Sequence, residues 1–367
     1  MSAIASAVPP SPSWRPTADQ VFLGLLVVFF PLTVAAHFFF SGAVTFILAA
    51  FALIPLARLM GEATEAISAK LGAGLGGFMN ASFGNAAELI IAIAALKNGQ
   101  TAVVKASITG SILGNLLLVL GASVLAGGLT RKTQKFNATA ALSSAALMFL
   151  AVVGLTVPDL FHVVSPAIAN PVLRKMSIAI SVILLGLYGL SLLFSLKTHA
   201  HLYGAGGDEA PSEDHWSVRK GIVVLVLATL GVVVVAEILV HALEEAIASF
   251  GFTHTFVGVV VIAIIGNAAE HSTAILTAMK DKIDISFNIA FESSKQIALF
   301  VAPVLVLMSG FLGHPLTLEF SHMEVLGLAL AVGAATLISL DGESNWLEGA
   351  MLLAVYAILG TAFFYIP

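Results

Sequence analysis

Apolar residues run along this chain in long stretches instead of alternating with polar ones, and each stretch ends at a charge, a glycine or a short polar turn. A helix rises about 1.5 Å per residue, so about 20 apolar residues cross the roughly 30 Å of hydrocarbon in a bilayer. The pattern therefore predicts about eleven transmembrane helices, near 21–40, 42–69, 75–97, 101–127, 138–157, 174–196, 218–246, 252–280, 284–309, 322–341 and 346–366. Stretches of this kind recur throughout, which is not the pattern of one leader ahead of a soluble body. Gly72, Gly74, Gly76, Gly77 and Gly84 gather around the third stretch, where close helix packing or a local break is expected.

Polar gaps divide the chain into an N-terminal tail (1–20), a first helix (21–40), about five helices (42–196), a hydrophilic acidic linker (197–217) and about five more helices (218–367). The linker reads as a solvated connection, with a cation-attracting or regulatory segment as the alternative. Composition agrees with a membrane protein: of 367 residues, 59% are hydrophobic and only 10% charged, far from soluble usage. The absence of cysteine excludes disulfides and thiolate metal sites. Net charge matters less than placement. With the spans alternating, eleven of the 16 Lys and Arg fall on the side of the N-terminus, which places that end in the cytoplasm.

Gly84-Asn85-Ala86-Ala87-Glu88 recurs residue for residue as Gly266-Asn267-Ala268-Ala269-Glu270, 182 positions later. At the same offset Ser111 meets Ser293, and Leu117 and Val119 meet Leu299 and Val301, so the unit is duplicated over about two spans. The copies fall in the third and eighth predicted spans. An odd number of crossings between them reverses direction, giving the inverted repeat of secondary transporters, with cargo held near the midplane. The expected fold is an all-α integral membrane protein of two inverted five-helix repeats plus an extra N-terminal helix.

A carboxylate at the bilayer centre costs about 2.5–3.5 kcal/mol on insertion scales, so Glu88 and Glu270 need a proton or a cation. Burial and a like-charged neighbour favour the protonated acid, and a divalent ion between the two favours both carboxylates. Metal and protons then compete for one site. Asn85 and Asn267 share a helical face with their glutamates, and Ser111, Asn115, Ser293, Ser294 and Gln296 offer further oxygens. Backbone breaks at Gly84 and Gly266 would add carbonyls, completing an oxygen set suited to a hard cation such as calcium. No thiolate and no spaced His pair signals zinc or copper.

With the paired motifs stand Gly110-Ser111-Ile112-Leu113-Gly114-Asn115, the stretch Ser293-Ser294-Lys295-Gln296-Ile297-Ala298-Leu299-Phe300-Val301-Ala302-Pro303, the acidic linker, and Asp341-Gly342-Glu343-Ser344-Asn345-Trp346-Leu347-Glu348-Gly349. In this order the chain resembles the calcium/proton antiporter family of the calcium/cation antiporter superfamily. The resemblance implies eleven spans, export of cytosolic calcium against proton entry, and Glu88 and Glu270 as cation ligands and proton carriers. One departure stands out: such proteins usually carry Gly-Ser-Ser where this chain has Glu292-Ser293-Ser294, followed by Lys295. Glu292 and Lys295 are spaced to neutralise each other as a buried pair, or Glu292 adds a third titratable group.

Glu62, Glu65, Glu244 and Glu245, toward the ends of the second and seventh spans, line an access path or simply face water. Glu237 lies deeper, and His271 reads as a packing residue. Ser344 or Asn345 is expected to cap the last helix. Gly72, Gly74 and Gly77 spell Gly-x-Gly-x-x-Gly with no strand before them, a chance match. Without a Walker loop, Gly-x-Ser-x-Gly or His-Glu-x-x-His, the chain does not read as an enzyme, and no basic patch suggests nucleic acid. The expected partners are Ca2+ and H+ as cargo and the lipid bilayer, with no resident cofactor and a homo-oligomer left open. A prokaryotic cytoplasmic (inner) membrane is the expected location. The alternatives are the same scaffold moving Na+, K+ or Mn2+, or a passive cation channel.

Overall fold

The computed structural model describes residues 18–165, 170–200 and 216–366. Most of the expected tail (1–17) and of the linker (201–215) lie outside the described residues. The first half comprises α1 (Ala18–Phe39), α2 (Gly42–Phe83), α3 (Ala86–Lys97), α4 (Thr101–Gly128), α5 (Ala138–Val164) and α6 (Pro171–Thr198). The second comprises α7 (Val218–Phe250), α8 (His254–Gly266), α9 (Ala268–Met279), α10 (Ile283–Ser309), α11 (His322–Ile338) and α12 (Trp346–Tyr365).

Among the described residues eight helices are long and apolar enough to span a bilayer, or ten if each of two bent pairs is one span. The remaining expected span, 322–341, is the 17-residue α11, which sits at the lower limit for crossing, so the count of eleven is not confirmed. The expected second and third spans correspond to Gly42–Leu71 and to the bent pair Leu75–Phe83 with Ala86–Lys97, although helical hydrogen bonding runs on from the first into the second to make one 42-residue element. That helix is not straight. A Cβ on Gly76 would meet the carbonyl of Ser68, although eight residues of straight helix span about 12 Å. Glycine lets α2 double back where two spans were expected to meet.

Why these helices need lipid is visible on α5. Ala141, Ala145, Met148, Val152 and Leu155 are buried at helical spacing, yet Phe149, Leu150, Val153, Val157 and Leu160 point outward and are equally apolar. Neither face suits water.

Helix register follows from small residues. On α7, Gly221 abuts Ile67, Gly231 abuts Leu56, and Glu245 abuts Gly42 at the start of α2, so α2 from Gly42 to Ile67 lies antiparallel to α7. In the centre, Gly110 of α4 rests on the Val259 backbone of α8, and Gly258 of α8 rests on Ala106 and the Val103 carbonyl. Wide turns, with i→i+5 bonding, occur at four places among the described residues: Gly114–Val119, Phe194–Thr198, Val257–Ile262 and Ile297–Val301. Such turns gather at functional sites, and all but the one at the end of α6 flank the repeated motifs or their Ser partners.

Loops sort consistently onto two faces. Arg131 pairs with Asp281 at 2.8 Å, Lys135 with Glu343 at 3.0 Å, and Asp284 accepts from the Asn137 amide at 2.6 Å. A short antiparallel pair, β1 (Gln134–Lys135) with β2 (Glu343–Ser344), joins the same loops. The sequence reading held no strand, because two residues carry no periodicity. Ser344 is drawn into β2, so Asn345 caps α12, in a reciprocal capping box with Glu348.

Candidate ion-binding site

Both copies of the repeated motif are helix breaks. Gly84 ends α2, and Asn85, at φ −98° and ψ 27°, turns the chain by 41° into α3. Asn267, at φ −96° and ψ 7°, turns α8 into α9 by 63°. These dihedrals lie in the bridge region, where helical bonding lapses without the strain of positive φ. Glu88 and Glu270 thereby fall in the first turn of the following helix, where unpaired backbone N–H groups and the helix dipole favour negative charge.

The two breaks run in opposite directions. Gln100, just past α3, and His254, opening α8, both bond the Glu244 carboxylate, at 2.8 and 3.0 Å, so α3 ends where α8 begins. At the other end the Met279 carbonyl, closing α9, accepts from Arg131, just past α4. The α8–α9 pair therefore runs with α4 and against α3.

Antiparallel placement brings the motifs face to face. The Glu88 side chain lies over Gly266, where an added Cβ would stand 3.3 Å from Glu88 Cγ, one helical turn before Glu270. Each motif asparagine then meets the serine of the opposite repeat. Ser293 lies 3.2 Å from Asn85 Oδ1, and Asn267 Nδ2 donates to Ser111 Oγ at 3.2 Å. The offset of 182 relates both members of one pair to the other, so one crossing contact is made twice. Asn115 Nδ2 donates to Ser293 Oγ at 2.9 Å, and Asn85 Nδ2 to Gln296 Oε1 at 2.5 Å.

Four shielded oxygens in this cluster have no hydrogen-bond partner: Glu88 Oε2, Glu270 Oε2, Asn115 Oδ1 and Asn267 Oδ1. Buried polar atoms are ordinarily satisfied, so a convergence of unpaired acceptors with no donor is the signature of a place for a cation or a proton. Among the described residues no three His, Asp or Glu side chains group for a metal. A cation here would have two carboxylates and otherwise neutral oxygens, a donor set for a hard ion.

The other expected site residues are placed as follows. Ser294 turns its hydroxyl back to the Ala290 carbonyl at 2.8 Å, within α10. Glu62 pairs with Arg58 at 2.6 Å, and Glu65 is exposed. By the α2–α7 register these two lie near the Gly221 end, whereas Glu244 and Glu245 lie at the Gly42 end. The four acids thus divide between opposite ends. Glu237 pairs with Lys97 at 3.1 Å, and His271 Nε2 has no hydrogen-bond partner.

One polar network was not anticipated from sequence. Lys105 Nζ donates to the Glu319 carbonyl at 2.5 Å, Asp159 holds His322 at 2.9 Å, Glu319 holds His162 at 3.3 Å, and the buried Glu324 caps α11 while lying 3.4 Å from Thr109. It ties α4, α5 and α11 together near the end where α3 meets α8. Asp159 and Glu324, each beside long apolar runs, were its sequence signal.

The chain matches known proteins over most of its length. A family described as sodium/calcium exchanger protein covers residues 41–197 and 220–365. A Ca(2+)/H(+) antiporter of Synechocystis sp. is 47% identical, over 96% of this chain and 99% of that protein. The Ca(2+)/H(+) antiporter ChaA of Bacillus subtilis is 43% identical, over 94% and 99%. The solved structure of native YfkE superposes with a TM-score of 0.82 at 40% identity, covering 94% of this chain and all of that one. Matches of this extent, over both repeats and the helices around them, place the chain in the sodium/calcium exchanger protein family.

Proposed function

We propose that the protein is a Ca2+/H+ antiporter working by alternating access, exporting cytosolic calcium in exchange for incoming protons. The observation that carries this reading is the meeting of Glu88 and Glu270 across two antiparallel helix breaks, each with a shielded oxygen lacking a partner. Two carboxylates balance one divalent cation, and protons discharge the same pair when the metal leaves. A bare pair in the bilayer interior is the costly state, so the repeats rearrange only when the charge is met. The names carried by relatives at 43–47% identity point to the same ions.

In this scheme Glu88 and Glu270 bind the ion and carry the protons. Asn85, Asn267 and the carbonyls freed at Gly84 and Gly266 supply neutral oxygens, joined by the unpartnered Asn115 Oδ1, with Ser111, Ser293 and Gln296 behind them. Glu62 and Glu65 at one end, and Glu244 and Glu245 at the other, attract cations toward the two mouths. No resident cofactor and no covalent chemistry are needed. The placement of Lys and Arg supports a cytoplasmic N-terminus, in a prokaryotic inner membrane.

The test is flux through purified protein in vesicles. Given an acidic lumen and no other gradient, vesicles are expected to accumulate calcium beyond its outside concentration and to lose that ability with a protonophore. Calcium that only runs down its own gradient would mark a channel. Acid on the calcium side is expected to inhibit, because protons and metal compete for one pair. Asn85→Ala removes the amide between Gln296 and Ser293, and an orphaned buried hydrogen-bonding group costs about 1–3 kcal/mol. The half-saturating calcium concentration of this variant is expected to rise about tenfold or more; an unaltered value would remove Asn85 from the site.

A further inference from the structure

The two half-helices that carry the ion site are fastened at one end by a third helix. α3 runs from the first motif, with Glu88 in its first turn, to Lys97, and α8 runs from His254 to Gly266 of the second motif. Acids of α7 bond both far ends. Glu237 Oε1 accepts from Lys97 Nζ at 3.1 Å, and Glu237 Oε2 from Asn98 Nδ2 at 3.3 Å. Seven residues on, Glu244 Oε1 accepts from Gln100 Nε2 at 2.8 Å and lies 3.0 Å from His254 Nε2. Two helical turns put both acids on one face of α7, turned toward the half-helices.

This end is the outer one under the orientation given by the Lys and Arg placement: α1 crosses once from the cytoplasm, and Gly42, against which Glu245 of α7 packs, emerges on the far side. At the opposite end of the same α2–α7 pair, Glu65 and Lys70 are exposed. The bonded groups at the outer end are not core groups either, since Lys97 is 63% and Glu244 58% exposed. Exposed polar pairs are individually weak, so they can be made and broken within one transport cycle. Together they close the seam between α7 and the outer ends of both half-helices.

We propose that Glu237 and Glu244 are an outer clasp: they hold α7 against the ends of α3 and α8 while the outer mouth is shut, and they let go when the ion site faces outward. Both are positioning residues, acting on Glu88 and Glu270 through the half-helices that carry them. Release also frees the Glu244 carboxylate to draw cations to the mouth, the part it has in the antiport scheme. The inference rests on the alternating-access reading and adds which bonds must break for the outer side to open.

The chain has no cysteine, so thiols introduced into the clasp are its only ones. Gln100→Cys with Glu244→Cys, and separately Lys97→Cys with Glu237→Cys, are joined in vesicles by a short thiol-reactive bridge that a reductant cleaves. Calcium flux is measured before bridging, after it and after cleavage. Flux is expected to be present before bridging, to fall by about tenfold or more while the bridge holds, and to recover on cleavage. A merely structural contact stays made throughout the cycle and is indifferent to the bridge, so unaltered flux in a fully bridged pair overturns the proposal. A loss that cleavage does not reverse overturns it too, as does a pair that cannot be bridged although each cysteine alone reacts. If one pair does not transport before bridging, the other decides. Failure of both overturns the proposal, because groups that only shut a mouth are not needed for the ion to bind. The unmodified protein in the same vesicles tests the antiport reading separately, and if it carries another cation the bridging comparison is made with that ion.

Discussion

Glu270→Gln is expected to abolish proton-driven calcium accumulation while leaving the protein inserted and folded. The amide keeps the shape of the side chain, so the packing around the second break survives. Its charge does not. Removing one member of a buried charge arrangement typically costs about 3–5 kcal/mol, which in apparent affinity is a loss of about two to four orders of magnitude. The remaining acid, Glu88, can carry only one proton, so even residual binding would lack the charge balance for exchange. In the metal-free protein the substitution replaces a carboxyl that needs a proton with a group that does not, so thermal unfolding in detergent is expected at the same temperature or higher. Glu88→Gln is expected to behave alike, and the double variant to be no worse than either single one, because the two acids act as a unit. Calcium flux and a melting curve check these outcomes together. Near-normal accumulation by Glu270→Gln would mean that the facing carboxylates are not the site.

Much of this arrangement was legible before any coordinates. Helix positions followed from apolar run length, because a bilayer leaves the backbone few ways to satisfy its own hydrogen bonds. The facing of Glu88 and Glu270 followed from counting crossings between two identical pentapeptides, and the Glu292–Lys295 pair from its spacing along one helix. What was not legible depends on where one side chain ends relative to a distant one. The 182-residue offset pairs Ser293 with Ser111 and Ser294 with Ile112, but it does not show that Ser293 reaches Asn85 while Ser294 bonds its own helix one turn back. The Asn85–Ser293 and Asn267–Ser111 crossings are implied by the shared offset, but only the antiparallel contact of α4 with α8 shows that each serine serves the opposite motif. The β1–β2 pair and the Asp159–His322 bond lie between segments far apart in sequence, with too few residues for a period. Even the continuous α2 is a local ambiguity: glycines near residue 76 satisfy the helical pattern and permit the fold-back at Ser68 at once.

The second large effect is expected at a residue with no polar chemistry. Gly110→Ala adds one methyl group, and in α4 that methyl would fall on the backbone of Val259, in contact with its carbonyl oxygen and Cα. Backbone cannot rotate aside as the end of a flexible side chain can. Gly258 faces Ala106 and the Val103 carbonyl across the same crossing, so neither helix has slack on the other side. Overpacking a well-packed interior costs about 1–3 kcal/mol, occasionally more, and here the strain falls one residue before Ser111 and within two turns of Asn267. Gly110→Ala should therefore lower the melting temperature in detergent and lengthen the Asn267–Ser111 contact, with exchange lost in proportion. Gly114 supplies the control: it lies one turn further along α4, and a Cβ there meets nothing within 4 Å. Gly114→Ala should leave folding and flux close to those of the unmodified protein. If the two alanines behaved alike, helix propensity and not the α4–α8 crossing would govern this region, and the contact that sets one repeat against the other would have to be sought elsewhere.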